Sequence, residues 1–392
     1  MEKLVIYVTN AIEDNVRISR EIDTDSPACS RKVFLTCKNL NKSGVKVIVI
    51  SLGRGRTKNK FSFYSSKITR RDNFIIIYAP FCHLPIISHL VSLFWPFLFF
   101  LTNKFRFNKY KTVFFFWNRT FAFVPILLIS IFHSYKTILD LEDGDIFKQG
   151  KLLSRIKSYI LIFIYDTICH GVVVTNTSLM NNTLIKSKFC FYGIQPFFDN
   201  STCIKNTTHL DILFSGTIIK ETGAEILYNA IKKIRNSGYE WSENLLIHVT
   251  GKGDSINLFY ELQSKNKHPL VKVYGRLDDE NYKKVLDSCN VGLALKLPEG
   301  PLASTTFPSK VLEYVNSNLL ILTTDISDVK LLLKDEAIYT NGEEGNLISK
   351  LEYISKHKKN IFYKTEKAKY NLNSYCTGIN EIEKLKTFIF TD

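Results

Sequence analysis

Between Lys296 and Asp325 the sequence KLPEGPLASTTFPSKVLEYVNSNLLILTTD gathers residue types suited to phosphate and sugar chemistry. Thr306, Ser309 and Lys310 stand where a helix begins, with Pro308 in its first turn, where a missing N–H costs nothing. A helix N-terminus offers unpaired N–H groups and a dipole that favour an anion, and Lys310 adds a point charge. Glu313 lies three residues on, so it shares the face of Lys310 and can accept from sugar hydroxyls. Together these suit a diphosphate with a ribose beyond it. An ordinary capped helix with a solvated Lys and Glu fits the stretch equally well. Val311, Leu312, Val315 and Leu319 form an apolar stripe on the other face, and the run LLILTT has the length of a strand buried on both sides.

Other candidates fall at strand ends. DILFSGTIIKETGAEILYNAIKKI reads as strand, glycine loop and helix. Gly216 ends the strand, Thr217 and Lys220 follow, Thr222-x-x-Glu225 reads as a capping box, and Gly223 lets a ligand approach the backbone. Lys220 in plain solvent is the bland alternative. Gly251-Lys252-Gly253 and Tyr274-Gly275-Arg276-Leu277 end the next two strands. Ligands of open parallel sheets sit at such carboxyl ends, and the agreement of several is stronger than any one. Arg276 and Leu277 are placed to flank a nucleobase; Lys252 reads as solvated or near phosphate. In the first half, Asp140-Leu141-Glu142-Asp143-Gly144-Asp145 follows the strand TIL. Carboxylates there can orient an acceptor hydroxyl or take a proton; a metal is the weaker reading, because no His or further acid nearby completes a set. His83, His89, His133 and His170 read as packing residues. No Walker loop or nucleophile elbow occurs.

The elements that position these residues alternate along the whole chain. LVIYVT, VKVIVISL, NFIIIYAP, TVFFFW, TILDL, GVVVT and KFCFYG are apolar strand runs in the first half, and helical stretches separate most of them. DILFSG, LLIHVTG, VKVYG, VGLALK, LLILTT and EAIYT repeat the pattern in the second. Such alternation predicts an α/β chain of parallel, doubly wound sheets. With 392 residues, two domains are expected, split in the polar stretch FFDNSTCIKNTTH. The expected domains are 1–197, 198–359 and a helical segment 360–392 that packs back on the first.

Charge is unevenly spread. The first 196 residues hold 27 Lys and Arg against 12 Asp and Glu, while the remaining 196 hold 25 of each. From Ser26 to Leu139 the one acid is Asp72. The first half should therefore seek an anionic surface. LPIISHLVSLFWPFLFFL, residues 84–101, is nearly long enough to span a bilayer, but Pro85, His89 and Pro96 interrupt it and Lys104, Arg106, Lys109 and Lys111 follow. That pattern suits the membrane interface or, alternatively, a buried helix. Eight scattered cysteines with no C-x-x-C pair fit a reducing compartment, and the start is no signal peptide, so a cytoplasmic chain is expected, peripheral on the inner face of the membrane.

Phe214-Ser215-Gly216 with Thr222-Gly223, Val249-Thr250-Gly251-Lys252-Gly253, Val273-Tyr274-Gly275, Val291-Gly292-Leu293-Ala294 and Phe307-Pro308-Ser309-Lys310 with Glu313 resemble the retaining glycosyltransferases of family 4. In the first half Leu139-Asp140-Leu141-Glu142-Asp143 and Phe191-Tyr192-Gly193-Ile194 carry the likeness. The resemblance covers nearly the whole chain and is clearest from Asp211 to Asp325. It implies the GT-B fold, two Rossmann-like domains facing across a cleft, with a nucleotide-sugar donor held by the second. It implies transfer with retention, without a cofactor or bound metal, in surface-glycan synthesis. Glu313 matches the second glutamate of the family's E-x7-E motif, expected on the ribose. Thr305 stands where the first would be, and Glu299 upstream is the candidate replacement. Thr222 occupies the place of the family's loop Lys, so Lys220 or Lys310 is left to supply that charge. The Glu142-Asp143 region replaces the usual His. Lys310, Glu299, Glu142 and Asp143 are thus the candidate catalytic residues. The implied partners are the donor, a lipid-linked glycan acceptor and an anionic inner-membrane surface.

Two alternatives stay open: a non-catalytic membrane partner of the same fold, which the missing Glu and Lys favour, and a nucleotide-sugar epimerase, which the basic half argues against. Nucleic acid is not an expected partner, since no recognised module accompanies the charge.

Overall fold

A computed structural model of the chain describes residues 1–392 except 24, 56–61, 108, 144–151, 194–208, 300–302, 304–305, 308, 359–362, 377 and 392. The chain divides into two compact units, Met1–Pro196 with Cys376–Asp392, and Phe197–Tyr375.

In the first unit β1 (Lys3–Thr9) leads through helices α1 (Asp14–Ser19) and α2 (Pro27–Lys42) to β2 (Lys46–Ser51). Ser26 caps α2, accepting from the Cys29 N–H, and Pro27 opens its first turn. A short ribbon, β3 (Phe63–Tyr64) with β6 (Phe81–Cys82), flanks the hairpin β4 (Lys67–Arg71) and β5 (Phe74–Tyr78). Helix α3 (Pro85–Phe107), β7 (Lys111–Trp117), α4 (Val124–Phe132), β8 (Lys136–Leu141), α5 (Leu152–Ile168), β9 (Gly171–Val174) and β10 (Lys188–Cys190) follow. The sheet order is β10-β9-β8-β7-β1-β2-β5-β4, parallel throughout except for the edge strand β4. Chain order reverses between β1 and β7, which pair from Lys3 opposite Lys111 to Val8 opposite Phe116. The parallel strands were legible as two-sided apolar runs. The hairpin was not, because β4 is a polar, mostly exposed edge.

Each face of this sheet has its own core. On one side α2 and a final helix, Gly378–Phe390, cover Val5, Val47, Val113 and Ile138, with Leu385 and Ile389 fully buried. On the other, α3, α4 and α5 contribute Phe100, Leu127 and Tyr165 to a core over Ile6, Phe114 and Leu139. The stretch 84–101 forms most of α3 and has two faces: Phe100 is buried, whereas Phe94 and Leu98 are exposed. Among the described residues no helix is long and apolar enough to cross a membrane.

The second unit strings together β11 (Leu210–Thr217), α6 (Ala224–Ser237), β12 (Leu245–Lys252), α7 (Ile256–Ser264), β13 (Leu270–Gly275), α8 (Asp279–Ser288) and β14 (Val291–Ala294). Helix α9 (Ser309–Asn316), β15 (Leu320–Thr324), α10 (Val329–Leu333), β16 (Ile338–Thr340), α11 (Glu344–Lys356) and a helix Lys364–Cys376 complete it. The segment expected to pack back on the first unit is therefore shorter than 360–392, since the first unit takes only Cys376–Asp392. All six strands are parallel, in the order β13-β12-β11-β14-β15-β16. Counted within the unit this is 3-2-1-4-5-6, the order of dinucleotide-binding sheets, with its switch point between β11 and β14. Leu227, Ala230, Ile231 and Ile234 pack α6 on the sheet at the spacing its sequence predicts.

Candidate active site

The carboxyl ends of β11 and β14 border the switch point, where an open sheet leaves a crevice. Strand β11 finishes in Ser215-Gly216-Thr217, and α9 begins beside it. Side chains tie the two together. The Tyr314 ring is fully buried; its hydroxyl lies 2.8 Å from Ser215 Oγ and accepts from the Ser215 N–H at 3.2 Å. Tyr282, from α8, brings its hydroxyl to 3.0 Å from the same Oγ. Burial raises the Tyr314 phenol far above its ordinary range, so the group stays a neutral donor and acceptor.

Lys310 and Glu313 stand on this platform. Lys310 Nζ donates to Glu313 Oε2 at 2.6 Å and to the Tyr282 hydroxyl at 3.1 Å, and it lies 4.6 Å from the centre of the Tyr282 ring. Tyr282 in turn donates to Glu313 Oε2 at 3.1 Å. A side chain at Gly216 would sit 3.6 Å from Lys310 Cε, so the lysine stem crosses directly over that glycine. Gly216, Lys310 and Glu313 are therefore assembled in one place. Glu313 is buried rather than on an open face, which excludes the bland reading of a solvated pair. The first turn of α9 presents N–H groups that have no intrahelical acceptor, as at any helix start. A cation, N–H dipoles and a carboxylate thus converge at one end of the sheet, a set that can hold a diphosphate and a vicinal diol.

The other predicted residues occupy the same carboxyl edge with different roles. Thr222 does not form the expected capping box. Its Oγ1 turns back to donate to the Thr217 carbonyl at 2.7 Å, and Gly223 stands at the N-cap of α6 with φ of +76°. The space that a side chain would take at Gly223 is filled by Leu295, 2.6 Å from the ideal Cβ. That glycine serves packing against the end of β14. Lys220 is exposed, 3.9 Å from Glu225, as its solvated reading predicts. Gly251 has φ of +136°, and an added Cβ would fall 1.8 Å from the Gly216 carbonyl oxygen, so the position requires glycine. The Lys252 carbonyl accepts from the Ile218 N–H at 2.9 Å, which pins the first loop to the second. Gly275 ends β13, and Arg276 and Leu277 follow it, half-buried. Phe307 is half-buried, Ser309 and Glu299 are exposed, and Pro308 and Thr305 lie outside the described residues.

Sequence reasoning missed Lys296. It is buried at the end of β14, its N–H bonded to Thr324 Oγ1 at 3.0 Å and its ammonium to the Thr306 hydroxyl and carbonyl. A lysine right after a buried strand was the available signal. Tyr282 and Tyr314 were missed too, and Ser215 was read only as part of the family likeness, because three separate elements bring them together.

In the first unit Asp140 is buried at the end of β8 and takes hydrogen bonds from the Tyr7 hydroxyl and from Lys32 Nζ at 2.9 Å. Lys32 also pairs with Glu142 at 2.9 Å. Burial raises the Asp140 carboxyl, Lys32 pulls it down and Glu142 pushes it up again. For Lys32 burial works against the charge, but Asp140 and Glu142 outweigh it and hold the ammonium above its ordinary range. The Asn118 side-chain oxygen accepts from the Glu142 N–H at 2.8 Å and orders the turn that carries Glu142 and the exposed Asp143. Gly144 and Asp145 lie outside the described residues. Among the described residues no group of three or more His, Cys, Asp or Glu is arranged to hold a metal ion.

Residues 209–356 match the family model described as Glycosyl transferases group 1. No curated protein matches the chain. Sucrose-phosphate synthase from Thermosynechococcus elongatus is similar in structure, with a TM-score of 0.71 at 11% identity over 98% of both chains. Anabaena HepE in complex with UDP and glucose gives a TM-score of 0.70 at 10% identity over 100% of both. TarM gives 0.70 at 8% identity, covering 100% of this chain and 99% of its own. At such identities the likeness shows the fold, which is GT-B. Together, the match over 209–356 and the fold of the whole chain support a glycosyltransferase of GT-B type.

Proposed function

We propose that the chain is a retaining glycosyltransferase of family 4 that moves a sugar from a nucleotide-sugar donor to a lipid-linked or polysaccharide acceptor. Its place is cell-surface glycan synthesis at the cytoplasmic face of the inner membrane. One observation carries the reading: the Lys310–Glu313 pair, 2.6 Å apart, lies over Gly216 at the switch point of a 3-2-1-4-5-6 sheet. The first turn of α9 and Lys310 take the diphosphate, and Glu313 takes the ribose. As the bond from the anomeric carbon to the diphosphate oxygen breaks, negative charge grows on the leaving group. A fixed cation and aligned N–H dipoles stabilise that charge without reorganising, which lowers the barrier most. Arg276 and Leu277 flank the base, and Glu299 stands in for the first glutamate of the motif. Glu142 and Asp143 orient the acceptor hydroxyl, with Lys32 fixing Glu142. No metal is needed where Lys310 and the helix meet the charge. A structural neighbour from E. coli bound with UDP-2-fluoro glucose supports the choice of donor class.

A screen of nucleotide sugars for release of nucleoside diphosphate tests this. Release is expected for one donor and is lost in Lys310→Ala and Glu313→Ala with the fold intact; full rates in both variants would overturn the site. Thr305 in place of the first glutamate favours a second reading, a non-catalytic protein of the same fold. Calorimetry separates the two, since that protein would bind no nucleoside diphosphate.

A further inference from the structure

Helix α5 is apolar on both sides. Ser158, Leu161 and Tyr165 face the core of the first unit. At 100° per residue Leu152, Leu153, Ile156, Tyr159, Ile160 and Phe163 form a single stripe on the opposite side, and every one of them is exposed. Leu153 is 81% and Phe163 72% accessible. A helix apolar all round belongs in a buried setting, yet no described part of the chain covers this stripe. Helix α4 repeats the pattern on the same face of the sheet: Ile126 and Leu127 point inward, whereas Leu128 is exposed and Phe132 is 86% accessible.

Charge identifies what covers this face. Residues 85–107, 124–132 and 152–168, which make up α3, α4 and α5, contain one acid, Asp166. That acid is buried in a 2.8 Å pair with Arg119 and presents no charge outward. Arg155 and Lys157 are exposed and fall on opposite edges of the apolar stripe of α5. Lys157 also lies 5.5 Å from the centre of the Phe121 ring, which joins α5 to the turn before α4. An apolar stripe edged by cations, with no exposed acid, complements a hydrocarbon layer edged by anionic headgroups. Neither α4, with nine residues, nor α5, with 17, is long enough to span a bilayer.

We infer that α4 and α5 together form a lipid-contact face that lies in the interface of an anionic bilayer, with Leu153, Ile156, Phe163 and Phe132 immersed and Arg155 and Lys157 at headgroup level. The inference deepens the acceptor reading above and rests on it for its purpose: a lipid-linked acceptor must be met at a membrane surface. The exposed stripe of α3, Ile87, Leu90, Phe94, Leu98 and Leu101, where the sequence suggested the contact, lies on the same face of the sheet and continues this surface.

Flotation of the full chain with vesicles of phosphatidylcholine, with and without phosphatidylglycerol, tests it, using Leu153→Glu/Phe163→Glu and Arg155→Glu/Lys157→Glu. These side chains are exposed, so thermal melts should match wild type. The first pair is expected to cut binding to anionic vesicles by about tenfold or more. The second should abolish the preference for phosphatidylglycerol and the salt dependence. Wild-type flotation by both variants would overturn the inference. So would a second copy of the chain on this face, seen as a dimer in sedimentation that Leu153→Glu/Phe163→Glu dissolves while vesicle binding persists. UDP calorimetry without vesicles distinguishes the failures: UDP bound by chains that do not float leaves the transferase reading standing, and flotation without UDP binding leaves the lipid face standing.

Discussion

Lys310→Met keeps the aliphatic stem over Gly216 and removes the charge alone. In the folded protein that charge meets Glu313 Oε2 at 2.6 Å and the Tyr282 hydroxyl at 3.1 Å. The Lys310 side chain is 27% exposed and that of Glu313 10%, so the pair lies between a surface bridge and a buried one. Stranding the carboxylate should cost about 1–3 kcal/mol of stability. For a bound diphosphate, an ammonium about 4 Å from a phosphate oxygen contributes ~4 kcal/mol at an effective dielectric of ~20. Competition from Glu313 reduces this to about 2–3 kcal/mol, or roughly 30- to 150-fold in affinity for the nucleoside diphosphate that the donor screen identifies. Transfer should fall further, by about 10²–10³, because the leaving group carries more charge in the transition state. Lys310→Met/Glu313→Gln removes both charges. It should recover most of the lost stability, a coupling of about 1–3 kcal/mol, without recovering nucleoside diphosphate binding. Thermal melts, calorimetry with that nucleoside diphosphate and its release from the donor measure the three quantities. A single variant that binds the nucleoside diphosphate as wild type does, or a double variant that regains binding, would refute the reasoning.

Other perturbations test the supports. Lys32→Met leaves Asp140 and Glu142 without their cation and should cost about 3 kcal/mol at pH 7. Asp140 already titrates above the ordinary 3.8, burial being the largest cause, so the folded state holds this proton more tightly than the unfolded chain does. Its contribution therefore shrinks as pH rises from about 3.8 through the folded value. Removing Lys32 lifts that value further, so the variant should lose more stability at pH 7 than at pH 5, and equal losses in denaturant titrations would contradict the assignment. Gly251→Ala drives a Cβ into the Gly216 carbonyl at 1.8 Å with φ of +136°. It should lower stability by several kcal/mol and abolish nucleoside diphosphate binding; an unchanged melting temperature would show that the two loops are not in contact.

Much of the fold was legible because its strands are buried on both faces. Runs such as LLILTT and TVFFFW admit few other readings once helical stretches separate them. The antiparallel strand Lys67–Arg71 was invisible for the opposite reason: its residues are polar and mostly solvent-facing, so no periodicity marks it. Lys310 and Glu313 could be read as neighbours from their i, i+3 spacing on one helix. Their supports could not. Ser215 and Tyr314 are 99 residues apart, and Lys32 and Asp140 are 108 apart. Only the winding of the sheets joins them, and a linear pattern carries no trace of such pairs. The Thr222 capping box failed because Gly223, in a left-handed conformation, took the N-cap position and left the threonine to brace the preceding turn.

The helix Gly378–Phe390 belongs to the first unit, although the whole second unit precedes it in the chain. Its Phe388 ring stacks on Phe189 at 5.4 Å, and the Phe390 carbonyl takes a hydrogen bond from Lys111. A ribosome that has released strand β10 has thus made a sheet one face of which has α2 but still lacks this helix. Roughly half the polypeptide must then emerge before the rest of the cover arrives, leaving the β7 side of that core open to chaperones or to mispairing in the meantime. Proteolytic loss of those last residues would accordingly weaken the lobe made earliest, not the one to which they are joined.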